Sequence, residues 1–429
     1  NAEFYKERQI KYGRVYKTHV LGRPTIRVSG ADNLRTILTG ENTLVTPQWP
    51  PSVRQILGKE SLSMMSGVEH SVRRRIVVKA FDQTALTAYI PYVQDIIRGG
   101  LRRWCDKGQI FGYTESKTVA FSIAARVFAG LNLSDERSDH LSTVFLQMIA
   151  GMFSLPFKFK GSGLYKGLKA KEYLINQLDL HFKEVEKEGS DQDFSSAVHH
   201  LLNSQTEGGE SLSRYAIAEA VLEMLFAGHD TVTSQMCSIL MLLGKNKKYV
   251  DTLRKELEAE GLLDISKTNS DITLSVLNRL EYLNMVIKET LRLCPPVGAG
   301  YRRVLKTFEL EGYRIPEGWT LAYGIRDTHL TSSLYIDSDT FDPDRWKNLQ
   351  NLDKAGGIDS KNDRFNFCPF GGGARTCVGK EFAKLALRLF VIELVKTCDW
   401  TLLNESAPMK YIPVPRAADN LPLKIHLRT

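Results

Sequence analysis

The sequence predicts a mainly α protein with a smaller β-rich portion, interwoven as one domain over residues 1–429. Three observations carry that prediction. From about residue 68 to residue 260 the apolar side chains recur at helical spacing. Period-two alternation is confined to short pieces near the N-terminus and after residue 300. No internal repeat or low-complexity tract divides the chain, and a composition 43% apolar and 25% charged supports a large core. Length alone suggests about three domains, a rule that large single-core enzymes break.

Taken in order, RVYKTHVLGRPTIRVSG (14–30) alternates around a Gly-Arg-Pro turn and predicts a hairpin. EAVLEMLFAGHDTVTSQMCSILMLLG (219–244) is the longest predicted helix, interrupted by Gly228 and Asp230. SVLNRLEYLNMVIKETLRLCPP (275–296) predicts an amphipathic helix stopped by two prolines. RRVLKTFEL (302–310) and YRIPEGWTLAYGI (313–325) read as strands, and 337–368, rich in Asp, Asn and Gly, as a loop. FGGGARTCVGKEFAK (370–384) then opens a helix running from about 379 to 397.

Lys and Arg number 57 against 49 acids, a net charge of +8, which admits nucleic acid, anionic lipid or an acidic protein surface as partners. Nucleic acid is set aside, because no aromatic interleaving or binding fold accompanies the basic residues. The six cysteines form no CxxC or zinc-like pairing and read as reduced, mostly buried thiols of the cytosol or a cytosol-facing surface. No apolar span is long enough to cross a bilayer. The chain begins at Asn1 without Met or signal pattern and is read as trimmed, with any N-terminal anchor outside it.

Cys377 raises the question of purpose. Alone it reads as inert core, and as a nucleophile it lacks an obvious base other than Lys380. Gly371, Gly372, Gly373 and Gly379 let the backbone curl tightly, aim N–H groups at a sulfur and approach a flat ligand. The following helix adds positive potential, so the surroundings favour a thiolate. Arg375 can neutralise an acidic group on the same ligand. A thiolate in a glycine loop beside an arginine is what a haem iron with propionates requires.

Phe370, Gly373, Arg375, Cys377 and Gly379 fit F-x-x-G-x-R-x-C-x-G, and here the chain resembles the cytochrome P-450 haem-thiolate monooxygenases. The resemblance implies a triangular prism of helices around a buried haem b, with Cys377 as the axial iron ligand. Glu289 and Arg292 share a helix face and alone read as a surface ion pair. In the family this pair is completed by a later arginine, which FDPDRW (341–346) supplies as Arg345. Such a charge cluster fixes the fold rather than doing chemistry. FAGHDT (226–231) reads either as a polar kink or, by the resemblance, as the oxygen-activating site. There Ala227 and Gly228 make room for a diatomic ligand, and Asp230 and Thr231 handle protons. VEHSVRRR (68–75) places His70 and Arg74 at the family's propionate positions, and Arg302 matches another. Arg73–Arg75 alternatively form a solvated basic face, and a basic face around the cysteine suits an acidic flavoprotein reductase.

The resemblance covers nearly the whole chain and is nearest the animal retinoic acid hydroxylase branch, in 11–38, 153–170, 300–319, 325–329 and 363–373. It implies hydroxylation of all-trans retinoic acid at an allylic ring carbon, with O2 and electrons from NADPH through a separate reductase. It also implies a monomer on the cytosolic face of the endoplasmic reticulum membrane. Trp49 and Phe226 occupy wall positions of that branch, and Val297 and Ala299 leave room for a ring. Tyr301 stands where the branch often carries Phe, and Asp230 where it often carries Glu. Arg27, on the second hairpin strand, is the candidate carboxylate partner, or else an exposed strand arginine. The rivals are a sterol or other terpenoid hydroxylase, and a non-catalytic retinoid- or haem-binding protein.

Overall fold

A computed structural model describes every residue except 1, 21, 189–195, 206–208, 210, 265–271, 355–363 and 429. The predicted hairpin pairs Val15–Val20 with Arg23–Val28, antiparallel, with Tyr16 opposite Arg27. Thr320–Gly324 lies parallel to the second hairpin strand, Ala299–Val304 runs antiparallel to it, and Val45–Pro47 closes the sheet. Thr320–Gly324 is buried along its whole length, as a central strand with both faces covered must be. A second sheet orders Gln109–Phe111, Pro422–Leu427 and Cys398–Leu402, with Pro422–Leu427 in the middle.

Helices make up most of the rest, and Arg214–Lys245 is the longest. Ser213 caps it by accepting the Ala216 N–H, and buried residues occur on nearly every face of its C-terminal half. A helix apolar all round belongs inside a core, and this one packs against Gly112–Ala129 and Lys380–Thr397. Gly228 meets Phe128 so closely that an added Cβ would lie 2.6 Å from its ring. Phe128 in turn packs on Phe81 and Phe382, so one aromatic layer joins the central helix to the helix that follows Cys377.

Three sequence expectations change. The central helix runs through Gly228 and Asp230 without interruption, because its neighbours outweigh the low propensity of those residues. The predicted helix 275–296 is two helices, Leu274–Arg279 and Glu281–Leu293. Leu280 leaves helical geometry between them, and the Glu256 carboxylate accepts the Tyr282 and Leu283 N–H groups at 2.6 and 2.9 Å. That external carboxylate caps a helix start that its own sequence leaves uncapped. Finally, 337–368 is not all loop: Arg345–Lys354 is helical, and 355–363 lie outside the described residues.

Candidate active site

Cys377 sits in the turn leading into the helix Lys380–Thr397. Its N–H donates to the Phe370 carbonyl at 2.9 Å, and Thr376 N–H to the Gly373 carbonyl at 3.1 Å. Gly373 has φ +63°, and a Cβ there would lie 1.9 Å from the Leu38 carbonyl oxygen, so only glycine lets the loop pass. Cys377 is solvent-exposed, unlike the core thiols Cys237, Cys294, Cys368 and Cys398. The surrounding protein atoms push its thiol up, opposed by the Gly379 N–H and by the charges of Arg74 and Lys380. The net direction is upward, contrary to the reading that the loop alone favours a thiolate. Coordination to a metal is what removes such a proton.

Cations converge on the loop from three elements. Arg74, on the helix Gly67–Lys79, donates to the Thr376 carbonyl at 2.7 Å. Arg375 donates to the Leu62 and Met65 carbonyls at 3.4 and 2.6 Å, and to Glu41 at 3.1 Å. Arg302 lies 3.4 Å from the other Glu41 oxygen, and its buried Nε makes no hydrogen bond. His70, buried on the same helix as Arg74, is pushed down to about 4 by burial and by Arg375 and Arg74, so it is neutral at physiological pH. Glu41, absent from the sequence reading, is therefore the shared carboxylate of Arg302 and Arg375. Nothing in the spacing marks it, since 334 residues separate it from Arg375.

On the central helix, Ala227 is exposed between half-buried Phe226 and Gly228, and Thr231 Oγ1 donates back to the Ala227 carbonyl at 2.6 Å. Asp230 and His229 approach to 3.1 Å, but off the angle of a hydrogen bond, so they couple through charge. Burial alone raises Asp230, yet His229, Lys117 and Arg416 outweigh it and hold the carboxyl below its ordinary range. His229 itself stands between the edges of Phe121 and Phe145.

The loop Leu62–Met65 ties these parts together. The half-buried Glu223 carboxylate, one turn before Phe226, accepts the Leu62 and Ser63 N–H groups at 2.6 and 2.8 Å. The Trp49 indole donates to the Ser63 carbonyl at 3.2 Å, and Gln48 N–H to the Tyr301 carbonyl at 3.3 Å. Trp49, Tyr301 and Val297 are 37%, 39% and 47% exposed, while Phe226 and Ala299 are half-buried. Gln235 donates to the Cys294 carbonyl at 2.5 Å, holding the Val297 segment against the central helix.

Arg27 is not an exposed strand residue. It is buried, and its Nε and Nη2 donate to Asp327 at 3.2 and 2.6 Å. Arg27 and Tyr301 both register opposite Ala322, one strand on each side. Asp327 lies in the IRDTH segment, whose role as a partner for Arg27 no sequence spacing signals.

Glu289, Arg292 and Arg345 meet as one cluster. Arg292 forks onto both Glu289 oxygens at 2.9 and 2.8 Å, and Arg345 Nε reaches Oε1 at 3.2 Å. Trp346 Nε1 and the Asp342 N–H complete the acceptor set at 3.0 and 3.1 Å.

The family model described as Cytochrome P450 matches residues 1–418. Among curated proteins, the chain is 40% identical to Cytochrome P450 26A1 of Xenopus laevis over 98% of its own length and 85% of that protein's. The Gallus gallus 26A1 protein gives the same identity and coverage, and Cytochrome P450 26B1 of Mus musculus is 38% identical over 98% and 82%. Among solved structures, retinoic acid bound cyanobacterial CYP120A1 matches with TM-score 0.88 and 32% identity, over 100% of this chain and 95% of that one.

Proposed function

The chain belongs to the cytochrome P450 family, and from that premise we propose that it hydroxylates all-trans retinoic acid at an allylic ring carbon. The observation that carries the substrate class is the likeness, end to end, to a P450 fold described as bound to retinoic acid. The exposed side chains of Trp49, Val297 and Tyr301, with half-buried Phe226 and Ala299, support a pocket for a long polyene.

Haem is the family's cofactor, and the residues here fit it. An exposed cysteine stands in a glycine cradle, and the buried Arg302 Nε, 3.4 Å from Glu41, makes no hydrogen bond. Cys377 would ligate the iron; Arg74, Arg302, Arg375 and neutral His70 would receive the propionates, while Phe370, Gly373 and Gly379 shape the loop. Haem, when bound, supplies the iron centre for dioxygen activation and oxygen insertion. The chain's own part is to hold the substrate ring near that centre and deliver protons. Asp230, ionised and half-buried, takes protons from the solvent side. The Thr231 hydroxyl, now turned to the Ala227 carbonyl, passes them on by rotating away from that acceptor. Ala227, exposed, keeps the helix surface low enough for a diatomic ligand, whereas Gly228 turns its missing side chain to Phe128 and serves helix packing instead.

The reading extends to one catalytic domain over 1–429, acting as a monomer on a small retinoid. Electrons come from NADPH through a flavoprotein reductase docked on the basic face. The site of action is the cytosolic face of the endoplasmic reticulum membrane. Among the described residues no helix is long and apolar enough to cross a membrane. The test is a titration of the haem-loaded protein with all-trans retinoic acid, followed at the Soret band. A saturable shift to the high-spin form is expected. An intact thiolate-haem spectrum with no shift would move the substrate to sterols or other terpenoids.

A further inference from the structure

Cys105 and Cys398 have no part in the site above, yet their sulfurs lie 3.6 Å apart. Among the described residues they are the only cysteine pair in hydrogen-bonding contact. Cys105 stands in the last turn of the helix Gln83–Lys107, and Cys398 opens the strand Cys398–Leu402 directly after the helix Lys380–Thr397. The first frame is closed by its own C-cap and the second is held from another helix. Gly108 N–H caps the first by donating to the Trp104 and Cys105 carbonyls. Arg254 donates to the Val395 and Cys398 carbonyls at 2.9 and 3.1 Å. The sulfurs thus face each other from two ordered elements, and a disulfide requires their approach from 3.6 Å to about 2.05 Å.

We propose that Cys105 and Cys398 form a redox modification site, a dithiol that a hydroperoxide converts to a disulfide. Cys105 is half-exposed and meets the oxidant; Cys398 is fully buried and does not. The Cys105 sulfur attacks one oxygen of hydrogen peroxide, the O–O bond breaks, and water leaves, giving the sulfenic acid. The Cys398 sulfur then attacks the Cys105 sulfur; the S–S bond forms, the S–O bond breaks, and the hydroxyl departs with the Cys398 proton as a second water. Two thiols lose two electrons and the peroxide gains them. Burial pushes both thiols up, Cys105 against the opposing effect of its contact with Cys398 and Cys398 to about 12, so both sulfurs are protonated at neutral pH and both steps are slow. The adjacency of Cys398 is what spares Cys105 from oxidation beyond the sulfenic stage. The bond would span a sequence separation of 293 residues and tie down the far end of the helix that starts beside Cys377. Closing so long a loop constrains the unfolded chain strongly.

The test uses the haem-loaded protein, treated with hydrogen peroxide or with diamide, a thiol oxidant that leaves haem intact. Free thiols are alkylated in denaturant, and the peptides are mapped by mass spectrometry. The expected result is a peptide pair joined through Cys105 and Cys398, absent before oxidation and reversed by dithiothreitol. Cys105→Ser should remove it and leave Cys398 alkylatable. Two outcomes overturn the proposal: both cysteines stay alkylatable while glutathione in the same tube is oxidised, or Cys105 proceeds to sulfinic acid with no cross-link.

Discussion

The Nε2 of His329 accepts the Cys368 N–H at 3.1 Å, while its Nδ1 lies 3.0 Å from the Arg292 carbonyl. One neutral ring therefore joins the backbone of the Glu289–Arg292–Arg345 cluster to the segment leading into the cysteine loop. The donor at Nδ1 and the acceptor at Nε2 require a single tautomer.

That linkage gives a pH prediction. Burial pushes His329 down to about 3, well below its unfolded value near 6.5. Below 6.5 the unfolded chain takes up a proton that the folded chain refuses, so the contribution is full above pH 6.5 and is lost on acidification towards 3. The slope is up to about 1.4 kcal/mol per pH unit. His329→Gln should lower stability at pH 7.5 by about 1–3 kcal/mol through imperfect pairing of the Cys368 N–H. It should also flatten the dependence between pH 4.5 and 6.5. Urea unfolding across that range checks both, and an unchanged slope would remove His329 as its source.

Glu289 accepts from two guanidinium groups, an indole and a backbone N–H, with no exposed side-chain surface. Glu289→Gln leaves Arg292 and Arg345 as buried, uncompensated cations. The expected cost is about 3–5 kcal/mol, read as a lowered denaturation midpoint or failure to fold. Arg345→Lys should be milder, because it keeps one charge near Oε1.

Asp230→Asn removes the half-buried acid without changing its size. The expected outcome is continued NADPH consumption with product formation down about 10²-fold. Substrate affinity, read at the Soret band, should stay within a factor of about two, as befits a proton-handling residue rather than a wall. A parallel loss of binding would place Asp230 in the pocket instead.

How much of this was legible in the sequence follows from the range of each interaction. The cysteine loop, the Glu289–Arg292 pair and the run from Ala227 to Thr231 are local patterns, and the fold sets each on one element. Periodicity found the helices but not their breaks, since Leu280 interrupts a helix only because Glu256 caps the next one. The missing partners are all distant. Glu41 meets Arg375 across 334 residues and Asp327 meets Arg27 across 300, and a lone carboxylate carries no mark of the distant arginine it neutralises. For the same reason the sequence leaves Arg27 open between a carboxylate partner and an exposed strand arginine, and the fold buries it.

Asp327 makes the anchoring role of Arg27 a matter of competition. A substrate carboxylate must share a guanidinium whose Nη2 already lies 2.6 Å from Asp327. If Arg27 receives the acid, Arg27→Ala should weaken binding of all-trans retinoic acid about tenfold or more and leave retinol within about twofold, the difference being one charge-assisted contact. Asp327→Asn should act in the opposite direction, releasing the guanidinium and tightening the acid but not the alcohol. Both are read by Soret titration on variants whose melting temperatures are measured alongside. Equal losses for acid and alcohol in both variants would assign the pair to holding the hairpin strand against Thr320–Gly324 and leave the carboxylate to another cation. The opposed signs of the two substitutions separate these cases, because a purely structural ion pair loses the same contact whichever partner is removed.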